Sequence, residues 1–450
     1  MSIFGAMTNA VTGLRAQSYA LENISDNIAN SQTTGYKRVD TSFQDLVPDY
    51  PLTQQVGGSV LAFSRGTNTI AGSYTSTGVS TNVALNGDGF FVVRDRADTQ
   101  AGLPVFSQRD LYTRRGDFGV DKNGFLVNGA GRYLVGTNLD PVTGNPTGSP
   151  GVMRITSDLV SAKASTTVEY RANIPSTPQT PSYDPKTPGS ELYAVPATGV
   201  TSAEESNFTN HTISGGTVTV YDGQGTPTTV ELRWAKTAST PTDTWNVYYA
   251  NPAYDGTSTS LKWIAAGQGT NLSNAKTNFT FDSSGKLTAP VGTTTLTGLP
   301  IDGTDLTLDV SSGVTQFADV SGQVKTTSIR QDGYPAGKLN DVSIADDGRV
   351  VASYSNGQTV ALAQLSVARF NAPNSLKRRD GSTFEETLES GQPLYGLNGA
   401  TIMGAQLEAS NTDIADEFSK MIVTQQAYSA NTRVVTTAQQ MLQDAINIIR

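Results

Sequence analysis

The chain has 450 residues, 37% hydrophobic and 16% charged, with 44 Gly and 20 Pro. That length implies two or three folding units, and the turn-rich composition implies a mainly β middle. A net charge of -9 without clustered Lys and Arg argues against nucleic acid, whose binding displaces counterions with cations; the lack of Cys excludes disulfides, thiolate metal sites and a Cys nucleophile.

Taken in chain order, Ile3 to Asn30 is predicted as one helix. Its apolar residues Phe4, Met7, Val11, Leu14, Leu21 and Ile28 follow a 3-then-4 alternation, interrupted at Ser18 and Ser25. Gly5 and Gly13 cost about 0.5–1 kcal/mol each, so the helix is marginal alone, and Gly35 is expected to terminate it. The start lacks the pattern of a cleavable leader and no run is long enough to span a bilayer, so no membrane insertion is expected and any export needs another route.

Residues 36–70, with Pro48, Pro51, Gly57, Gly58 and Gly66, read as a connector. Between Asp117 and Gly136, short apolar runs at Phe118, Phe125 and Tyr133 alternate with Asp121-Lys-Asn-Gly124 and Asn128-Gly129, which predicts a three-stranded meander with Asn-Gly hairpin turns. The plan recurs from Val342 to Leu362, with Asp346-Asp347-Gly348 expected as a type I′ turn. Residues 71–145 and 326–399 thus read as halves of one β domain, split by an inserted outer β domain at 146–325. Pro175, Pro178, Pro181, Pro185 and Pro188 make a turn-rich loop within the insertion.

At the other end Leu407, Ile414, Met421, Tyr428, Val435, Leu442 and Ile449 recur every seventh residue, reinforced by Phe418 and Ile446, as in a coiled-coil seam. Ser410 with Asp413 fits a capping box, Asp416 and Glu417 suit the positive helix end, and Arg450 the negative end. About 40 residues from Asp413 would extend about 55 Å, a column rather than a globular helix. Burying seven such side chains is worth on the order of 10 kcal/mol or more as an upper estimate. A single amphipathic stripe ordinarily covers its own core. Here the two stripes occupy opposite ends of the chain, and the polar second row at Gln425, Thr432 and Gln439 suits packing among many copies. The fold class is therefore mixed and mainly β: paired terminal helices (1–35 and 400–450) form a coiled-coil-like core, with nested all-β domains between them.

Catalytic chemistry is not evident. His211 lacks partners at triad or metal spacing, Gly129-Ala-Gly131 lacks the nucleotide-fingerprint spacing, and Asp346-Asp347 lacks the alternating ligands of a calcium loop. No cofactor or metal is expected. Asn207, Asn271 and Asn278 match glycosylation triplets, which arise often in a Thr- and Ser-rich chain.

Asn23-Ile-Ser-Asp-Asn-Ile-Ala-Asn-Ser-Gln-Thr-Thr-Gly-Tyr-Lys-Arg38 closely resembles the amino-terminal signature of the flagellar rod and hook proteins, carried here by Asn23, Asn27, Ile28, Ala29, Asn30, Thr34, Gly35, Tyr36 and Lys37. Leu407-Glu-Ala-Ser-Asn-Thr-Asp, Gln425-Gln-Ala-Tyr-Ser-Ala-Asn431 and Ile446-Asn-Ile-Ile-Arg450 resemble the matching terminal helix. Asn86-Gly-Asp-Gly-Phe-Phe-Val-Val93 and Tyr112-Thr-Arg-Arg-Gly-Asp-Phe118 resemble segments shared across the group. Length, Asp332-Gly-Tyr-Pro-Ala-Gly-Lys-Leu339 and Tyr354-Ser-Asn-Gly-Gln358 look like hook members rather than the shorter rod members.

The resemblance implies a non-enzymatic subunit whose terminal helices pack copies into a flexible curved tube, a universal joint carrying torque from motor to filament. It implies an extracellular place in the flagellum, reached without cleavage through the flagellar type III export apparatus. Its partners would be further copies, the distal rod, the hook cap and the hook-filament junction proteins. A distal-rod protein is the alternative within the group; a secreted β-rich adhesin or carbohydrate-active protein is the alternative outside it, distinguishable by glycan binding or hydrolysis.

Overall fold

The computed structural model describes residues 3–46, 59–141, 143–155, 159–194, 199–267, 276–296, 306–311, 313–397 and 399–449. Two compact units share the chain: Met1–Ser157 with Asn340–Ser353 and Thr359–Arg450, and Asp158–Leu339 with Tyr354–Gln358. The described helices are α1 (Ile3–Ala29), α2 (Glu205–Asn210) and α3 (Ile414–Ile449); the remainder is mainly strand.

In the first unit α1 packs along α3. The buried stripe of α1 is Ala10, Gly13, Ala16, Ala20, Ile24 and Asn27, small side chains at helical spacing that let the backbones approach closely. A Cβ on Gly13 would lie 3.0 Å from Asn431 Nδ2. On α3 the inward row is Glu417, Thr424 and Ala438, with half-buried Asn431 between. Asn27 bonds Glu417 while Gly13 meets Asn431, so the helices run antiparallel.

Several local expectations change. α1 stops at Ala29, and turns closed by Ser31 N–H to Ile28 O (3.2 Å) and Thr33 N–H to Asn30 O (3.0 Å) carry the chain to Gly35. Gly35 is therefore not the helix terminator. It holds φ +64° where a Cβ would sit 2.6 Å from Arg115 N, an approach that only glycine permits. The cap of α3 is Asp413 rather than Ser410: Asp413 Oδ1 accepts Ala415 N–H at 2.8 Å and Asp416 N–H at 3.3 Å. Ser410 instead accepts Thr412 N–H, because it lies too far upstream to reach the first helical turn. Arg450 lies outside the described residues.

Residues 36–70 contain a two-stranded antiparallel hairpin, β1 (Val39–Leu46) and β2 (Ser59–Gly66), with Asp40 opposite Arg65 and Phe43 opposite Ala62. It packs on α1: Tyr19 Oη lies 2.6 Å from Ser64 Oγ, and Asn23 donates to Thr41 Oγ1 at 2.8 Å. Pro48, Pro51, Gly57 and Gly58 lie outside the described residues.

The strands Phe118–Val120, Leu126–Asn128 and Tyr133–Leu139 form a meander, as do Leu339–Ile344, Arg349–Tyr354 and Thr359–Leu365. The two meet where Ala363 pairs with Asn138 and Leu365 with Gly136. Phe90, Val92, Tyr112, Val135, Ala368, Phe370 and Phe384 build the core beside them. Their turns are not type I′. Gly124, Gly131, Gly348 and Gly357 each take φ between +77° and +85°, and each N–H returns to the carbonyl three residues earlier. Asp347 and Asn356 are absent from the positive-φ residues. This is a type I turn followed by one left-handed glycine. The turn beginning at Asn128 therefore uses Gly131, not Gly129, as its left-handed residue.

In the second unit Thr167–Ile174 pairs in parallel with Leu306–Asp309 and Val314–Gln316, and antiparallel with Lys325–Gln331. A further antiparallel sheet is built from Thr212–Tyr221, Pro227–Ala238, Thr244–Ala250 and Leu261–Ala265. Trp234 is fully buried and donates to Tyr170 Oη at 3.0 Å, and Tyr170 donates in turn to Gly215 O at 2.9 Å. The proline-rich run after Ile174 carries turns and no strand among its described residues.

Candidate assembly surface

The signature segment acts as an internal fastener where α1, α3 and the β strands of the first unit converge. Asn27 reads the backbone of β1 on both sides, donating to Val39 O and accepting Val39 N–H, each at 2.9 Å, and its amide also donates to Glu417 Oε2 at 3.0 Å. Glu417 in turn pairs with Lys420 (2.7 Å), which reaches Asp40 at 3.4 Å. Asn30 donates to Asp26 O at 2.9 Å and accepts Thr33 Oγ1 at 3.1 Å. The Tyr36 ring lies 4.3 Å beneath the Arg378 guanidinium, which also donates to Lys37 O. Ile28 and Thr34 are half-buried and Ala29 is exposed.

At the centre, Lys37 Nζ pairs with Glu408 Oε1 at 2.5 Å, both side chains being buried, and donates to Ile70 O at 2.6 Å. Arg114 approaches the other oxygen of Glu408 at 3.3 Å, and Gly72 N–H donates to Glu408 Oε1 at 3.0 Å. Burial pushes the Lys37 ammonium below the usual lysine range, opposed by the Glu408 charge and aided by Arg114. Sequence spacing did not identify Glu408, Arg114 or Glu417 as the partners of the signature, because all three lie far from it along the chain, Glu408 and Glu417 by 371 and 390 residues from Lys37 and Asn27.

The large apolar residues read from the sequence lie elsewhere. On α1, Phe4 and Val11 are exposed, Phe4 by 63%, and Met7, Leu14, Leu21 and Ile28 are half-buried. On α3, Ile414, Phe418, Tyr428 and Ile446 are exposed, while Met421, Val435 and Leu442 are half-buried. None belongs to the buried stripe joining the helices. Leu407 is not helical: it lies in Gln406–Glu408, opposite Thr75, because α3 begins only at Ile414. The Ile449 side chain is outside the described residues. The seven-residue reading also missed Ile422, Val423, Val434 and Met441, all exposed. Helical rotation places Val423, Val434 and Met441 on a second flank, so a single seam cannot contain both sets.

The pair of helices thus turns a seam of mostly small or polar side chains inward and leaves large apolar side chains exposed along two flanks. This arrangement can bury a large area against further helices. His211 Nδ1 lies 2.8 Å from Asn207 O at the end of α2, a local cap. Asn278 accepts from Asn246 at 2.9 Å, and Asn271 lies outside the described residues. Among the described residues, no helix is long and apolar enough to cross a membrane.

Comparison with known proteins matches residues 7–37 to the flagella basal body rod protein family, 84–177 to the flagellar hook protein FlgE/F/G D1 domain, 186–334 to the flagellar basal body protein FlaE D2 domain and 404–448 to the flagellar basal body rod FlgEFG protein C-terminal region. The chain is 31% identical over 455 residues to the flagellar hook protein FlgE of Brucella suis, covering 100% of both. It is 31% identical over 454 residues to that of Salmonella typhimurium, covering 98% of this chain and 100% of the relative. The crystal structure of Helicobacter pylori flagellar hook protein FlgE2 aligns with a TM-score of 0.49 at 15% identity, covering 74% of this chain and 100% of that one.

Proposed function

The chain belongs to the family of flagellar hook proteins FlgE, and we propose that copies of it polymerise through the exposed apolar flanks of α1 and α3 into the torque-carrying hook. The carrying observation is that Phe4, Phe418, Val423 and Ile446 are each at least half exposed along two helices that turn mostly small and polar side chains towards each other. Burial of each would return about 1.5–3 kcal/mol. The small seam between α1 and α3 holds each pair together, and the flanks are left for neighbours.

On this reading the protein is a structural subunit and not an enzyme. Family membership gives it a flagellar location. An extracellular position, export in unfolded form by the flagellar type III apparatus, and contact with distal rod, hook cap and hook-filament junction proteins are further parts of the proposal. The β units would slide over their neighbours as the joint rotates, while the helices supply cohesion.

The test is assembly of the full-length chain carrying Phe418→Asp and Val423→Asp, followed by electron microscopy and sedimentation. The expected result is a monomer with the helicity and melting temperature of the parent that forms no polymers. Polymers in parental yield would overturn the assignment of the flanks.

A further inference from the structure

We propose that the far end of α3, Leu442–Ile449, docks into a cleft at the opposite end of the helix pair of a second copy of this chain, making a head-to-tail contact. This rests on the hook reading and specifies one contact by which copies stack.

The first support is the offset between the helices. Asn27 bonds Glu417 at 3.0 Å and Gly13 abuts Asn431, so at equal rise Ile3 comes level with about Met441. Leu442–Ile449 therefore run on past Ile3 for about 12 Å, at 1.5 Å per residue. There Leu442 and Ile446, one turn apart on one side, form an apolar strip, and Ile446 is 55% exposed.

The second support is the cleft. It encloses about 490 Å³ between α1, β1 and α3, lined by Ala20, Ile24, Phe43, Arg65, Lys420 and Thr424 among others. Phe43, 47% exposed, offers an apolar wall for an aliphatic strip, while Ala20 and Ile24 beneath it are already buried against α3. Arg65 makes no ion pair among the described residues. The acidic residues of the lining, Asp40 and Glu417, are both engaged by Lys420, which leaves Arg65 to meet the last carbonyls of an incoming helix, whose C-terminal end carries partial negative charge.

The third support is geometric. Strip and cleft sit at opposite ends of one helix pair, so filling the cleft of one copy leaves that copy's own strip free for the next. Such a contact is heterologous and open-ended, and generates a filament rather than a closed dimer.

Because the chain has no Cys, engineered cysteines report this contact directly. In polymers of the full-length Ser42→Cys/Ile446→Cys chain, Ser42 lying in the cleft lining, mild oxidation is expected to give a ladder of disulfide-linked multimers on a denaturing gel. Polymers that still run as monomers would overturn the proposal while leaving assembly itself intact. Failure of the hook reading looks different: the parent chain forms no polymers at all. An equal mixture of the two single variants is expected to give linked dimers and nothing larger. Equal dimer yield from Ile446→Cys alone would show that like ends meet, and would overturn it too. If the double variant assembles poorly, doping it into parent polymers preserves the readout.

Discussion

Glu408 lies between Lys37 and Arg114 with its side chain fully buried. Removing one partner from a buried ionic group leaves the others desolvated and unpaired, which costs about 3–5 kcal/mol. Glu408→Ala is accordingly expected to lose stability of that order in chemical denaturation of the monomer. Asp332 behaves differently. Burial alone would raise its carboxyl, but the Thr167 and Thr166 N–H groups, the Thr166 hydroxyl and Lys163 hold it at about 2 against an ordinary 3.8. The folded value is depressed, so the stabilisation is complete above the unfolded value and lost as pH falls from 3.8 towards 2. With the side chain 35% exposed, solvent screening leaves about 1–2 kcal/mol. Asp332→Asn should remove that part of the acid dependence while leaving the curve above pH ~5 parallel to the parent; an unchanged acid limb would contradict the assignment.

Among the elements, the seam between α1 and α3 has little spare volume at Gly13. Gly13→Leu must push Asn431 aside and separate the helices, at about 1–3 kcal/mol. Thermal melting followed by circular dichroism at 222 nm should show an earlier helical transition. Phe4→Ala, on the exposed flank, should leave the monomer's stability within about 0.5 kcal/mol. Equal effects of the two changes would mean that the inward and outward faces are misassigned. The contrast also shows what apolar periodicity can and cannot locate. Period locates an apolar face on a helix but not the surface that covers it, and here the intrachain contact uses Ala, Gly, Asn and Thr instead.

For the whole molecule, two compact units predict two unfolding events. Trp234, Trp245 and Trp263 all belong to the second unit, whereas α1 and α3 belong to the first. Tryptophan fluorescence should therefore report the second unit, and the helical signal at 222 nm mainly the first. Their denaturation midpoints are expected to differ; coincident midpoints would indicate that the units unfold as one.

Local physics made the terminal helices, the Gly-turned meanders and the family signature readable from the sequence, since each depends on residues within a turn or two of one another. The paired helices were legible as well, because amphipathic ends need partners. Only the tertiary structure decided which residues meet. Lys37 with Glu408, Asn27 with Glu417 and the meeting of the two meanders join positions far apart in the chain, where spacing carries no signal. It also placed Leu407 in a strand, gave the capping of α3 to Asp413 and showed the β1–β2 hairpin within residues read as a connector. Strand pairing and close backbone approach are set by the partner that happens to lie opposite, and a linear sequence does not name that partner.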